Sequence, residues 1–247
     1  MMYAKSLIFA EGYRLLATAF RYPEVEELRE ILTEVLEPGQ ESAEEIRQLA
    51  APLLEQLDDE LAAEYNRLFA QSVAVSPHER AYTGGDLGPG LGQLAALYEA
   101  FGLRSGGTEG EVPDHIGAEL EFAAFLCLKE AMYSDDPKEE SREALAIVCA
   151  ARKTFMQEHL GRWICAFADR LHDSAQHPYY VRLAELVRDW VKTDFAAQRW
   201  ELPLAGRHLP VIGPDLSTEV EDDSEPMTCP SAPHEEAAIP LATLLPA

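Results

Sequence analysis

A chain of 247 residues, 47% of them hydrophobic, is long enough to bury a substantial core. Its 44 acidic against 20 basic residues give a formal net charge of −24, a field that repels nucleic-acid phosphates and anionic lipid and favours cationic partners. Nucleic-acid binding is excluded on that ground, and no run reaches the roughly eighteen apolar residues that a membrane span needs, so a cytoplasmic location is expected.

Residues 3–20 place apolar side chains at helical spacing, interrupted by Glu11 and Arg14, which reads as an amphipathic helix and not as a signal peptide. Pro23 suits the opening of a second helix through Leu36. After the break at "EPGQ", Ser42 and Glu45 have capping-box spacing and predict a helix towards Leu57. "DDELAAEYNRLFA" predicts another. Residues 71–90, "QSVAVSPHERAYTGGDLGPG", are too rich in Gly and Pro for a helix and lack strand alternation, which predicts a long functional loop. Helical periodicity resumes in "LGQLAALYEAFGL", stops at "RSGGTEG" and restarts at Pro113. Asp136 and Pro137 suit N-cap and N1 of the next helix. The segment 138–171 requires a break near "EHLGRW", and a last helix is predicted from Pro178 to about Ala196.

These elements predict an all-α protein, a single helical-bundle domain of about eight to ten helices over residues 1–200. The remainder, 201–247, holds eight of the 16 prolines and nine acidic residues against one arginine, a composition that opposes regular structure. Within it, "HLPVIG" and "AAIPLATLLPA" are apolar enough to fold back onto the bundle. Cys127, Cys149 and Cys165 fall inside helical patterns and Cys229 in the tail, none at Cys-x-x-Cys spacing, which predicts reduced thiols.

The densest polar stretch is "PDHIGAELEF", Pro113 to Phe122. His115 and Glu119 are four apart and share a helix face, but no His-Glu-x-x-His pattern supplies a third zinc ligand. The acidic residues beside Pro113 also fit a helix start, where they favour the dipole and the free N–H groups. The glycines of "GGDLGPGLG" lack the Gly-Lys-Ser/Thr of a phosphate loop, and Asp86 has the wrong charge for an anion. No nucleophile elbow is present. His159 and Trp163, one turn apart, read as a core aromatic with a hydrogen-bonded histidine.

Taken in order, "EYNRLFA" (64–70), "SPHERAY" (76–82), "LYEAFGL" (97–103), "PDHIGAELEF" and "FMQEHLGRW" (155–163) resemble the TorD/DmsD/NarJ family of molybdoenzyme maturation chaperones over roughly residues 5–195. The most specific part is Pro113-Asp114-His115 followed by Glu119-Leu120, with His159 and Trp163 downstream. The resemblance implies a TorD-like, all-helical, cytoplasmic protein that is not an enzyme and carries no cofactor. Its partner is the catalytic subunit of a molybdopterin oxidoreductase, whose twin-arginine signal peptide or N-terminal segment it binds until the molybdenum cofactor is in place. The implied state is a monomer or weak dimer. The subgroup serving dimethyl sulfide dehydrogenase, chlorate, selenate or ethylbenzene-type enzymes is suggested by the tail. One departure is Pro77-His78-Glu79-Arg80, where many relatives carry Pro-x-Glu-Ser.

The peptide-binding residues expected on this basis are Asp114, His115, Glu119, Leu120, Phe122, His159, Trp163, Glu79 and Tyr82. Carboxylates pair with guanidinium groups, Leu120, Phe122 and Trp163 receive the apolar part of the signal, and His115 adjusts the charge with pH. The alternatives are a helical metal-dependent enzyme using the His115/Glu119 face and a general helical scaffold or regulator with another partner.

Overall fold

The computed structural model describes residues 2–37, 43–71, 73–84, 89–104, 112–203 and 239–240. Among them run ten α-helices: α1 (Met2–Ala19), α2 (Val25–Leu36), α3 (Glu44–Leu54), α4 (Leu61–Tyr65), α5 (Arg80–Thr83), α6 (Pro89–Ala100), α7 (Ile116–Asp135), α8 (Glu139–Glu158), α9 (Leu160–Ser174) and α10 (Pro178–Gln198). A π-helical turn, Asn66–Ala70, continues α4. The β-structure among the described residues is a pair of two-residue strands, β1 (Leu103–Arg104) and β2 (Ile239–Pro240), and an isolated bridge between His78 and His115. The all-α expectation holds.

Helix α7 organises the fold because its sequence is apolar all round, so it must be covered on every side. Residues from Ile116 to Ala131 are buried along most of its length, with α1 and α8 against it. Helix α9 is strongly one-sided. Trp163, Ile164, Phe167 and Leu171 face inwards, against α10 and the end of α8. Close approach depends on glycine at two places. A Cβ at Gly12 of α1 would lie 2.0 Å from Trp190 Cζ2, and one at Gly161 would lie 2.3 Å from Met156 O and 2.5 Å from Phe195 Cζ.

The predicted break near "EHLGRW" is a single residue, His159, whose φ of −123° and ψ of −100° separate α8 from α9. Helix α10 starts at Pro178, as predicted, with His177 as N-cap; its Nδ1 accepts from Tyr179 N at 3.2 Å and its Nε2–H donates to Asp58 Oδ1 at 2.9 Å. Other boundaries differ from the sequence expectation. Helix α3 begins after Ala43, and Ser42 lies outside the described residues. Helix α8 begins at Glu139 with Lys138 as N-cap. Asp136 still serves that end, accepting from Lys138 N at 3.2 Å and Ser141 Oγ at 2.8 Å. The region expected to be one long loop contains α5 and the first two residues of α6. Cys127, Cys149 and Cys165 are free thiols, whereas Cys229 lies outside the described residues. No described helix is long and apolar enough to cross a membrane.

The "EYNRLFA" run has an architectural role. Glu64 accepts from Arg67 Nε at 2.6 Å and from the backbone N of Gln176 at 2.6 Å and of His177 at 3.2 Å, while Arg67 donates to Ser174 O at 2.7 Å. The π-turn is thereby tied to the α9–α10 connection by charge-assisted bonds.

Candidate functional site

The segment 73–84 folds across the N-terminal end of α7. Glu79 N donates to Asp114 O at 2.9 Å and Ile116 N to Pro77 O at 2.8 Å, so residues 113–115 pair with the loop and do not join the helix. The helix therefore starts at Ile116, which corrects the expectation of a start at Pro113. His115 is the N-cap: its Nδ1 accepts from Gly117 N at 3.1 Å. Tyr98 of α6 closes the other side, donating to Pro113 O at 3.0 Å.

Three carboxylates converge here. Asp114 accepts from His78 Nδ1 at 3.1 Å and lies 3.4 Å from Arg80 Nε, with Arg80 N also 3.4 Å away. Glu79 accepts from His159 Nδ1 at 3.1 Å, and Glu119 from Trp163 Nε1 at 3.0 Å. Tyr82 stacks on Trp163 with centroids 5.4 Å apart and donates to Ser76 O at 2.9 Å. Seven of the nine residues singled out in the sequence thus meet in one network. Leu120 and Phe122 are fully buried and turn instead into the core, where Phe122 packs on Tyr98 at 4.5 Å and Phe155 at 5.0 Å.

Burial sets the electrostatics. Asp114 would be raised by desolvation, but the hydrogen bond and charge of His78 and the charge of Arg80 together hold it below the usual carboxylate range. Glu119 goes the other way: complete burial pushes it well above that range and the charges of Glu79 and Asp114 push it further, against the Trp163 hydrogen bond. Its Oε1 is buried with no partner among the described residues. Burial, aided by His78, lowers His115 to about 4, so this imidazole is neutral through the physiological range and does not adjust the charge as expected. Among the described residues no group of three His, Cys, Asp or Glu side chains is placed to hold a metal ion.

Residues 35–169 match the nitrate reductase delta subunit family, a span that includes the loop, the start of α7 and the His159–Trp163 turn. The chain belongs to this delta-subunit family. It is 34% identical over 189 residues to the selenate reductase assembly chaperone protein of Thauera selenatis and 33% identical over 186 residues to the chlorate reductase assembly chaperone protein of Ideonella dechloratans. Each match covers 72% of this chain and 85% of the relative. A perchlorate reductase assembly chaperone protein from Dechloromonas aromatica is 28% identical over 220 residues, 80% of this chain. The protein is accordingly an assembly chaperone of the delta-subunit family and not a catalyst, as the resemblance implied.

The sequence reading did not single out two members of this end of the chaperone, His78 and Arg80. Their signal lay in "SPHERAY", where Arg80 departs from the Pro-x-Glu-Ser run that the resemblance implied, and both its backbone N and its guanidinium address Asp114. A second buried network was missed altogether. Arg152 of α8 donates to Glu130 of α7 and to Asp194 of α10, the latter at 2.6 Å, and Tyr13 of α1 donates to Asp194 at 2.9 Å. This cluster joins four helices and takes no part in the site described above.

Proposed function

We propose that this chaperone binds, in the cytoplasm and as a monomer or weak dimer, the twin-arginine signal peptide or N-terminal segment of a molybdopterin oxidoreductase catalytic subunit, and assists cofactor insertion before export. Its relatives named as selenate, chlorate and perchlorate reductase assembly chaperones support a client of that type. The observation that carries the reading is the state of Asp114. This buried carboxylate already accommodates a guanidinium, that of Arg80, whose side chain is one-third exposed. An arginine of a client can take the same place by exchange, since carboxylate and guanidinium match as planar partners. Glu79 lies behind it on the same loop as Arg80, and the net charge of −24 steers a cationic segment towards the protein. Asp114, His115, Glu79 and Tyr82 form the rim in this reading, with Glu119, His159 and Trp163 beneath it and Leu120 and Phe122 supporting α7 from the core.

Co-purification tests the assignment. The tagged chain expressed in its native host is expected to bring down the catalytic subunit of a molybdenum reductase in cofactor-free form, identified by mass spectrometry and metal analysis. Recovery of a fully loaded enzyme alone, or of no reductase subunit, would contradict it.

A further inference from the structure

Strand β1 follows α6 through Gly102, whose φ of +72° makes the turn. It offers a backbone edge at the end of a segment packed along α7: Tyr98 donates to Pro113 O at the acidic end, and Phe101 packs on the Phe122 and Phe125 rings. That edge is occupied. Ile239 and Pro240 lie parallel to it, in register with Leu103 and Arg104. The 35 residues between Pro203 and Ile239 leave ample chain to reach it.

The sequence around β2 says what kind of segment this edge takes. The last eleven residues, Ala237–Ala247, "AAIPLATLLPA", contain no charged residue, whereas residues 215–236 carry eight acidic ones. The tail therefore presents an uncharged apolar run behind a negative stretch. The client segment proposed above has an apolar run behind a positive stretch. Both can add to a strand edge through backbone hydrogen bonds, but the tail brings no arginine to Asp114.

We propose that the β1 edge is a docking surface for an extended apolar segment and that the chain's own C-terminal segment, Ala237–Ala247, is its resident occupant, displaced by the client. This rests on the peptide-binding reading for the identity of the competitor. The tether keeps the tail at high effective concentration, so a weak contact suffices to cover the edge. A client that engages both Asp114 and the edge outcompetes it, whereas a merely apolar peptide does not.

The test uses the full chain with Arg104→Cys and Pro240→Cys, the register partners, in a Cys229→Ser background. Paired strands lie about 4.8 Å apart, within reach of a disulfide. Oxidation is expected to form the 104–240 cross-link, seen by peptide mapping. It is also expected to weaken binding of a synthetic peptide, two arginines followed by an apolar run, on the order of tenfold, with recovery on reduction. Absence of the cross-link would overturn occupancy of the edge by the tail. A cross-link with unchanged peptide affinity would overturn the competition. If neither the reduced form nor the unsubstituted chain binds the peptide, it is the client reading that has failed. That result also removes the competitor, while the cross-link still decides whether the tail is the occupant.

Discussion

Arg152→Met is expected to lower the unfolding free energy by about 3–5 kcal/mol, because it leaves two buried carboxylates without their cation. Arg152 is 1% exposed, Asp194 0% and Glu130 4%, so solvent cannot replace the lost partner. The Phe9 and Trp200 rings, with centroids 5.9 Å and 5.6 Å from the guanidinium carbon, lose their cation as well. For a chain of this length the loss corresponds to a fall of very roughly 10 °C in melting temperature. The same substitution in a Glu130→Gln/Asp194→Asn background is expected to cost much less, since no buried charge is then stranded. Denaturant unfolding of the four proteins measures this. Equal losses in both backgrounds would show that side-chain packing, and not the ion cluster, carries the effect.

Glu119→Gln is expected to change the pH dependence of stability. A carboxyl whose folded-state pKa is raised binds a proton that the unfolded chain has released. Its stabilising contribution is complete below the unfolded value, near 4.5, and is lost as pH rises towards the folded pKa. Across that window the wild-type protein loses up to about 1.4 kcal/mol per pH unit from this group. Glutamine keeps an oxygen acceptor for Trp163 Nε1 and has nothing to ionise. The variant is therefore predicted to match wild type near pH 4 and to exceed it at pH 7.5, by denaturation midpoints. Identical pH slopes would show that Glu119 is ionised in the folded chain. Charge reversal at Glu119 is a poor probe of peptide binding for the same reason: an ammonium at a site with no exposure unfolds the bundle before it reports on a ligand.

The helices were legible in the sequence and their ends were less so, for a physical reason. Periodicity registers which face of a helix is apolar, so α1, α9 and α10 could be located from their stripes, and α7 from the length of its apolar run. A helix end depends on what takes up its free N–H groups. At α7 the rule that proline opens a helix misplaced the start, because the backbone bonds Glu79 N to Asp114 O and Ile116 N to Pro77 O draw residues 113–115 into the loop. Those bonds join residues 35 and 39 positions apart and leave no local signal. Arg152 shows the same limit for the core. It sits beside Lys153 in a helix with many charges, and only the arrival of α7 and α10 makes it buried. His159 and Trp163 read as core residues from spacing alone and as site residues from the resemblance. They are buried, and each also holds a carboxylate of the site, Glu79 and Glu119 respectively.

The most direct test of the account is a calorimetric titration of the full chain with the N-terminal peptide of a molybdenum reductase that carries two adjacent arginines, beside the same titration of Asp114→Asn. Asparagine keeps the shape of the side chain and removes the charge that pairs with a guanidinium. One-to-one binding to the native chain is expected, with a loss of at least several-fold in affinity for a variant that remains folded. Absence of binding to the native chain, or equal affinity in a folded Asp114→Asn protein, would contradict it.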